Sequence, residues 1–112
     1  MGIAFDNGVA VNYGSVVNGV PLYVGQMDEL WMHVFGTFVG TLTFSVSFDN
    51  INYTAVFVQT FSIATSPTSY VNVATAPAIL RALVEGANWL RIDCTVYTSG
   101  TISVKSNGTK TI

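Results

Sequence analysis

Residues 41–48 read Thr-Leu-Thr-Phe-Ser-Val-Ser-Phe, an unbroken alternation of polar and apolar side chains. A period of two puts Leu42, Phe44, Val46 and Phe48 on one face and Thr41, Thr43, Ser45 and Ser47 on the other. A helix would scatter the same groups around its axis. The segment is therefore expected as a half-buried antiparallel strand, and most of the chain shares its grammar.

In "ELWMHVF", Leu30, Met32 and Val34 alternate with Trp31, His33 and Phe35, and both rows are mostly apolar, so a strand covered on both faces is expected. Asp49 to Asn52 form a turn, and "YTAVFVQTFSI" from Tyr53 reads as the next strand. The stretch from Ala64 to Ala78 is polar, contains Pro67 and Pro77, and reads as loop with a short strand at Tyr70 to Val73. Residues 79–84 have helix-forming composition but lie between Pro77 and Gly86, too close for a helix, so Ile79 to Val84 is assigned as a strand.

Residues 88–108 read as one hairpin. Leu90, Ile92, Cys94, Val96, Ile102 and Val104 face inward, while Trp89, Arg91, Asp93, Thr95 and Tyr97 face outward. A three-residue loop with Gly100 in the left-handed region would set Val96 opposite Ile102, Cys94 opposite Val104 and Asp93 opposite Lys105. "GTLTF" at 40–44 and "GTISV" at 100–104 share a turn-to-strand grammar.

Residues 1–27 break valines with turn formers: Asn7-Gly8, Asn12, Gly14-Ser15 and Asn18-Gly19. With Pro21 unable to donate to a ladder, they are expected as an extended N-terminal arm or short strands packing on a neighbour, ahead of a β-sandwich domain over 28–112. The fold class is all-β, an antiparallel β-sandwich or jelly-roll-like domain.

Only 9% of the 112 residues are charged, against roughly 25% in an average soluble domain. A surface so poor in ions is expected to be covered by other chains. Arg81, Arg91, Lys105 and Lys110 are scattered, which excludes a phosphate-binding stripe, so no nucleic-acid partner is expected. No apolar run reaches the ~18 residues a membrane helix needs, and the start lacks the pattern of a secretory signal or, with Asp6 at position six, of a myristoylation site.

No catalytic set assembles. His33 is the single histidine and lies in an aromatic row, so no base stands beside a nucleophile. Cys94 is the single cysteine and reads as a small buried hydrophobe. One His and one Cys fall short of a zinc site. "DNIN" is too short and has too few carboxylates for a calcium loop, and Asx hydrogen bonding explains it as a turn. Asn107-Gly108-Thr109 matches a glycosylation sequon, but an Asn-Gly turn suffices. No enzyme activity, cofactor or metal is expected. The aromatic residues suit a core, a protein interface or a sugar-stacking platform.

"GTFVGTLTFSVSFDNINYTAV" and "NWLRIDCTVYTSGTISV" together resemble the small β-sandwich structural proteins of tailed bacteriophages. The resembling blocks, Gly36 to Asp49 and Leu90 to Val104, take in most of residues 29–105. Two features depart from the pattern: Asn50 follows Asp49 where a glycine is expected, and "ILRALVEGANW" is more helix-like. The resemblance implies a virion structural protein, most like a capsid decoration (cement) protein on the head surface. Its implied partners are the major capsid protein and copies of itself, as a trimer. Neck, tail-tip or fibre components, including carbohydrate-binding sandwiches, are the alternative. Synthesis would be in the host cytoplasm. Trp31, His33, Trp89, Arg91 and Tyr97 are the candidate interface residues.

Overall fold

The computed structural model describes residues 2–6, 10–61 and 70–111. The predicted Asn7-Gly8 turn, Val9, the end of the predicted strand beyond Phe61 and the Pro67 loop lie outside the described residues. The strands are β1 (Gly2–Asp6), β2 (Val11–Tyr13), β3 (Leu22–Tyr23), β4 (Glu29–Phe35), β5 (Phe38–Ser47), β6 (Thr54–Ala55), β7 (Val58–Phe61), β8 (Tyr70–Val71), β9 (Val73–Ala74), β10 (Ala78–Leu83), β11 (Trp89–Gly100) and β12 (Ile102–Thr111). Among the described residues there is no helix.

Two antiparallel sheets form a sandwich. The larger runs β1-β12-β4-β10-β7-β8, with β2 also on β12; the smaller runs β3-β11-β5-β6, with β9 also on β5. Inward rows from both fill the core. Leu30, Met32, Val34, Leu80, Ile102 and Val104 come from the larger sheet, and Leu42, Phe44, Leu90, Ile92 and Cys94 from the smaller. The inward rows Leu30, Met32 and Val34 of β4 and Leu42, Phe44 and Val46 of β5 are therefore as the sequence indicates, and Ile79 to Leu83 is strand, but Phe48, expected inward, lies past the end of β5 in the Asp49 turn and is 74% exposed.

The predicted hairpin does not form. β11 pairs with β5 and β3, β12 pairs with β4, β1 and β2, and the two lie in different sheets. Cys94 and Val104 do face the interior, but from opposite layers. Alternation reports which face of a strand is buried and says nothing about which neighbour occupies its edge. Asp93 accordingly pairs with Arg91, and Lys105 lies beside His33.

The connection at Gly100-Thr101 is an arch between sheets, stacked on a second arch at Gly36-Thr37. Thr101 N–H donates to the Thr37 carbonyl at 3.2 Å. Gly36 has φ +108 and Gly100 φ +86, a region that side chains disfavour. A Cβ on Gly36 would stand 2.5 Å from the Thr101 carbonyl oxygen, and one on Gly100 would stand 2.0 Å from that of Thr37. Each Gly-Thr pair thus makes room for the other's backbone; the Gly40-Thr41 pair, read in the sequence as sharing a turn-to-strand grammar with Gly100-Thr101, lies instead inside β5.

Three further expectations are corrected. Register shifts at Cys94/Val96 and Tyr97/Ser99 turn Val96 outward, 52% exposed, and bring Tyr97 against the core. An inserted residue in one strand flips everything after it. The strand expected from Tyr53 divides into β6 in the smaller sheet and β7 in the larger, and Tyr70 to Val73 likewise divides into β8 and β9.

Residues 10–24 contribute β2 to the larger sheet and β3 to the smaller, and the segment between them crosses the open side of the sandwich as a strap. Tyr13 reaches across to donate its hydroxyl hydrogen to the Ile92 carbonyl at 2.8 Å. Val17 and Cys94 exchange two backbone hydrogen bonds, and Gly19 N–H donates to Asp93 Oδ1 at 2.8 Å.

Candidate interaction surfaces

The outer face of the larger sheet is built on β4. Trp31 has Arg81 of β10 on one side and Asn107 of β12 on the other. One step along β4, His33 has Ile79 and Lys105 as cross-strand neighbours. β7 adds Gln59 opposite Arg81 and Phe61 opposite Ile79. Cross-strand neighbours on one face lie close enough to pack. The rings of Trp31 and Phe61 are 5.0 Å apart, and the Arg81 guanidinium sits over both, 5.6 and 5.4 Å from their centroids. Such cation–π contacts are worth about 0.5–1 kcal/mol when exposed.

Arg81 is also tied at its end, with Nη1 2.8 Å from a Glu29 carboxylate oxygen and Nη2 donating to the Gln59 side-chain carbonyl. Its Nε is buried with no hydrogen-bond partner among the described residues. Around this group the rim is apolar and uncovered: Phe35, Ile79, Tyr70 and Leu83 are all exposed, Leu83 by 67%. The expectation that β4 is covered on both faces is corrected, because within one chain its outer row is partly open.

The outer face of the smaller sheet uses similar residue types differently. Thr41, Thr43, Ser45 and Ser47 of β5 give it a short polar row beside Trp89, Arg91 and Asp93 of β11. Tyr23 meets Trp89 edge-on at 5.3 Å. The Arg91 guanidinium lies 4.4 Å from the Tyr53 ring centroid, and its Nε is 3.0 Å from Asp93. Asp93 is 8% exposed and also holds the Gly19 amide. This cluster faces outward, yet its hydrogen bonds end on the strap.

The five residues singled out in the sequence do not form one site. Trp31 and His33 lie on the larger sheet's outer face, and Trp89 and Arg91 on the smaller sheet's. Tyr97 packs on the core and donates its hydroxyl hydrogen to the Gly100 carbonyl at 2.7 Å. Sequence reasoning missed Phe61, Ile79, Arg81 and Leu83. Alternation within "AILRAL" was the available signal, since Ile79, Arg81 and Leu83 fall together on the face opposite Leu80 and Ala82.

The turn at Asp49 is closed on itself. Its carboxylate accepts hydrogen bonds from the Ile51 and Asn52 backbone amides, the Asn52 side chain and the Ser47 hydroxyl. The Asn52 and Ile51 backbone amides, then those side chains, hold the carboxyl well below the usual carboxylate range. Its oxygens are thus committed within the turn. Among the described residues no group of three or more His, Cys, Asp or Glu could hold a metal ion, and no helix is long and apolar enough to cross a membrane.

No family model and no curated protein matches the chain. Its fold is similar to the crystal structure of SPBc2 prophage-derived protein YomS, with a TM-score of 0.75 over 98% of this chain and 94% of that one, at 16% identity. At that identity the likeness is one of fold.

Proposed function

We propose that this chain is a non-catalytic structural protein of a phage virion, most like a capsid decoration protein that stabilises contacts between major capsid subunits at the head surface. The observation that carries the reading is the outer face of the larger sheet, where an apolar rim stands open around the Trp31–Arg81–Phe61 group. Across the described residues fifteen large apolar side chains remain exposed, while the whole chain has four basic and six acidic residues. Aromatic residues and arginine ringed by apolar side chains have the composition of a binding hot spot. Contacts of modest area gain strength when several are made at once, as a bridging protein makes them. The prophage source of the structural neighbour and the motif resemblance support the phage setting; the low charge and the open apolar face favour a head-surface role within it.

A tail-tip, neck or fibre role with glycan binding would draw instead on Tyr23, 54% exposed beside Trp89. Cryo-EM of particles carrying this protein separates the two. Density on the head lattice, with the larger sheet's outer face against shell or sister subunits, is expected. Density confined to the tail, or that face turned to solvent, would overturn the decoration reading.

A further inference from the structure

A cavity of about 170 Å³ lies on the open side of the sandwich, where β2 and the strap meet both sheets. Part of its lining is core: Tyr13, Ile92, Val104 and Ser106 are all buried. Val11 and Val20, 50% and 81% exposed, connect it to solvent, and Leu22 of β3 completes the wall. Two of the lining side chains are polar, and both are engaged. The Tyr13 hydroxyl donates to the Ile92 carbonyl, and Ser106 has a partner of its own. No lining residue is charged, and neither is any residue from Asn7 to Met27. Asp93, next to Ile92 along β11, is held by Arg91 and the Gly19 amide.

The lining selects the chemistry of a ligand. An ion would lose its water there with no counter-charge to replace it. A sugar would leave most of its hydroxyls without partners. An apolar cavity of about 150 Å³, by contrast, takes up benzene or xenon, and the cavity here matches that scale and that lining. We infer that it is a binding site for a small uncharged apolar molecule the size of a benzene ring, and that its occupation tightens the strap on β11. The second part follows from linkage. A ligand touching Val11, Tyr13 and Val20 on one side and Ile92 and Val104 on the other has its full contacts only while the strap is closed, so it stabilises that state by mass action. This inference concerns the isolated protein and stands whether or not the chain sits on a phage head.

The test titrates the wild-type chain with benzene and, separately, with benzoate, following methyl groups by NMR. Benzene is expected to shift Val11, Val20, Leu22, Ile92 and Val104 saturably, with a Kd of about 1 mM or tighter, and benzoate to leave them in place. With benzene at ten times its Kd, amide exchange at Val17 and Gly19, whose N–H groups tie the strap to Cys94 and Asp93, should slow about tenfold. Val11→Phe, made at a half-exposed position on the cavity wall, should weaken benzene binding at least about tenfold by filling the space. If that variant does not fold, the benzoate comparison in the wild type decides. Shifts that grow without saturating, shifts centred on Ile79 and Leu83 instead, or equal binding of benzoate would overturn the site. Saturation with unchanged exchange at Val17 and Gly19 would refute the tightening.

Discussion

Arg81 and Arg91 stand on opposite outer faces of one sandwich with similar companions: an aromatic ring beneath and a carboxylate at the end. Their surroundings differ. Asp93, the partner of Arg91, is nearly buried and also binds the Gly19 amide, so that cluster fastens the strap. Glu29 and Gln59, the partners of Arg81, lie on strands adjacent to its own, and the rim around them is open and apolar. Equal residue types thus serve internal closure on one face and leave the other available to a partner. Interface-like composition locates candidates, and where their hydrogen bonds end tells the two uses apart.

The strongest way to erase the contrast is to break the arches that hold the two faces back to back. Gly100→Ala would force a side chain into positive φ against the Thr37 carbonyl. A loss of about 3 kcal/mol or more in urea unfolding is expected, with both faces disrupted together.

Asp93→Ala acts on the smaller sheet alone. It strands the Arg91 guanidinium and the Gly19 amide, and a cost of about 3 kcal/mol is expected. Amide exchange should quicken at Val17 and Gly19 before it does in β4. If Asp93→Ala costs no more than a surface change, that face is not a fastening.

Tyr13→Phe tests the same closure more gently. Burial first, then the Asp93 charge and Cys94, push the Tyr13 hydroxyl from its ordinary 10.0 up to about 12. A raised folded-state value means its contribution is complete below pH 10 and is lost as pH rises towards 12. The wild type should therefore lose stability across that window. The phenylalanine variant should lack that part of the slope and be about 1 kcal/mol weaker at neutral pH.

On the larger sheet the expected pattern reverses. Arg81→Met removes a partly exposed ion pair together with a buried Nε that has no hydrogen-bond partner among the described residues. Its stability should change by less than about 1 kcal/mol. Phe35→Ser and Ile79→Ser should change stability by about 0.5 kcal/mol or less, yet each should weaken association with the partner at least about tenfold, as loss of a hot-spot contact does. A large stability loss there with association intact would invert the comparison.

How much of this could be read from the chain depends on what period-two patterning encodes. The inward rows of β4, β5 and β10 were legible because Leu30, Met32, Val34, Leu42, Phe44 and Leu80 repeat every second residue and are all buried. Strand partnership was not legible. The predicted β11–β12 register satisfied both the apolar row and the Asp93–Lys105 charge pair, yet the same inward row is satisfied when the strands lie in opposite layers. The bulge that exchanges Val96 and Tyr97 leaves no glycine at Thr95 to announce it. On the candidate surface, Trp31 and His33 were visible as an aromatic row. Arg81 and Phe61 join them only through the β4–β10–β7 order, a long-range fact that no local spacing records.

Hydroxyl-radical footprinting of the protein, free and mixed with the phage particle proposed as its partner, tests the contact surface most directly. Protection of Phe35, Ile79 and Leu83 on the particle, with Tyr23 and Tyr53 labelled equally in both states, is the expected result. Protection of Tyr23 and Tyr53 while Phe35, Ile79 and Leu83 stay fully reactive would contradict it.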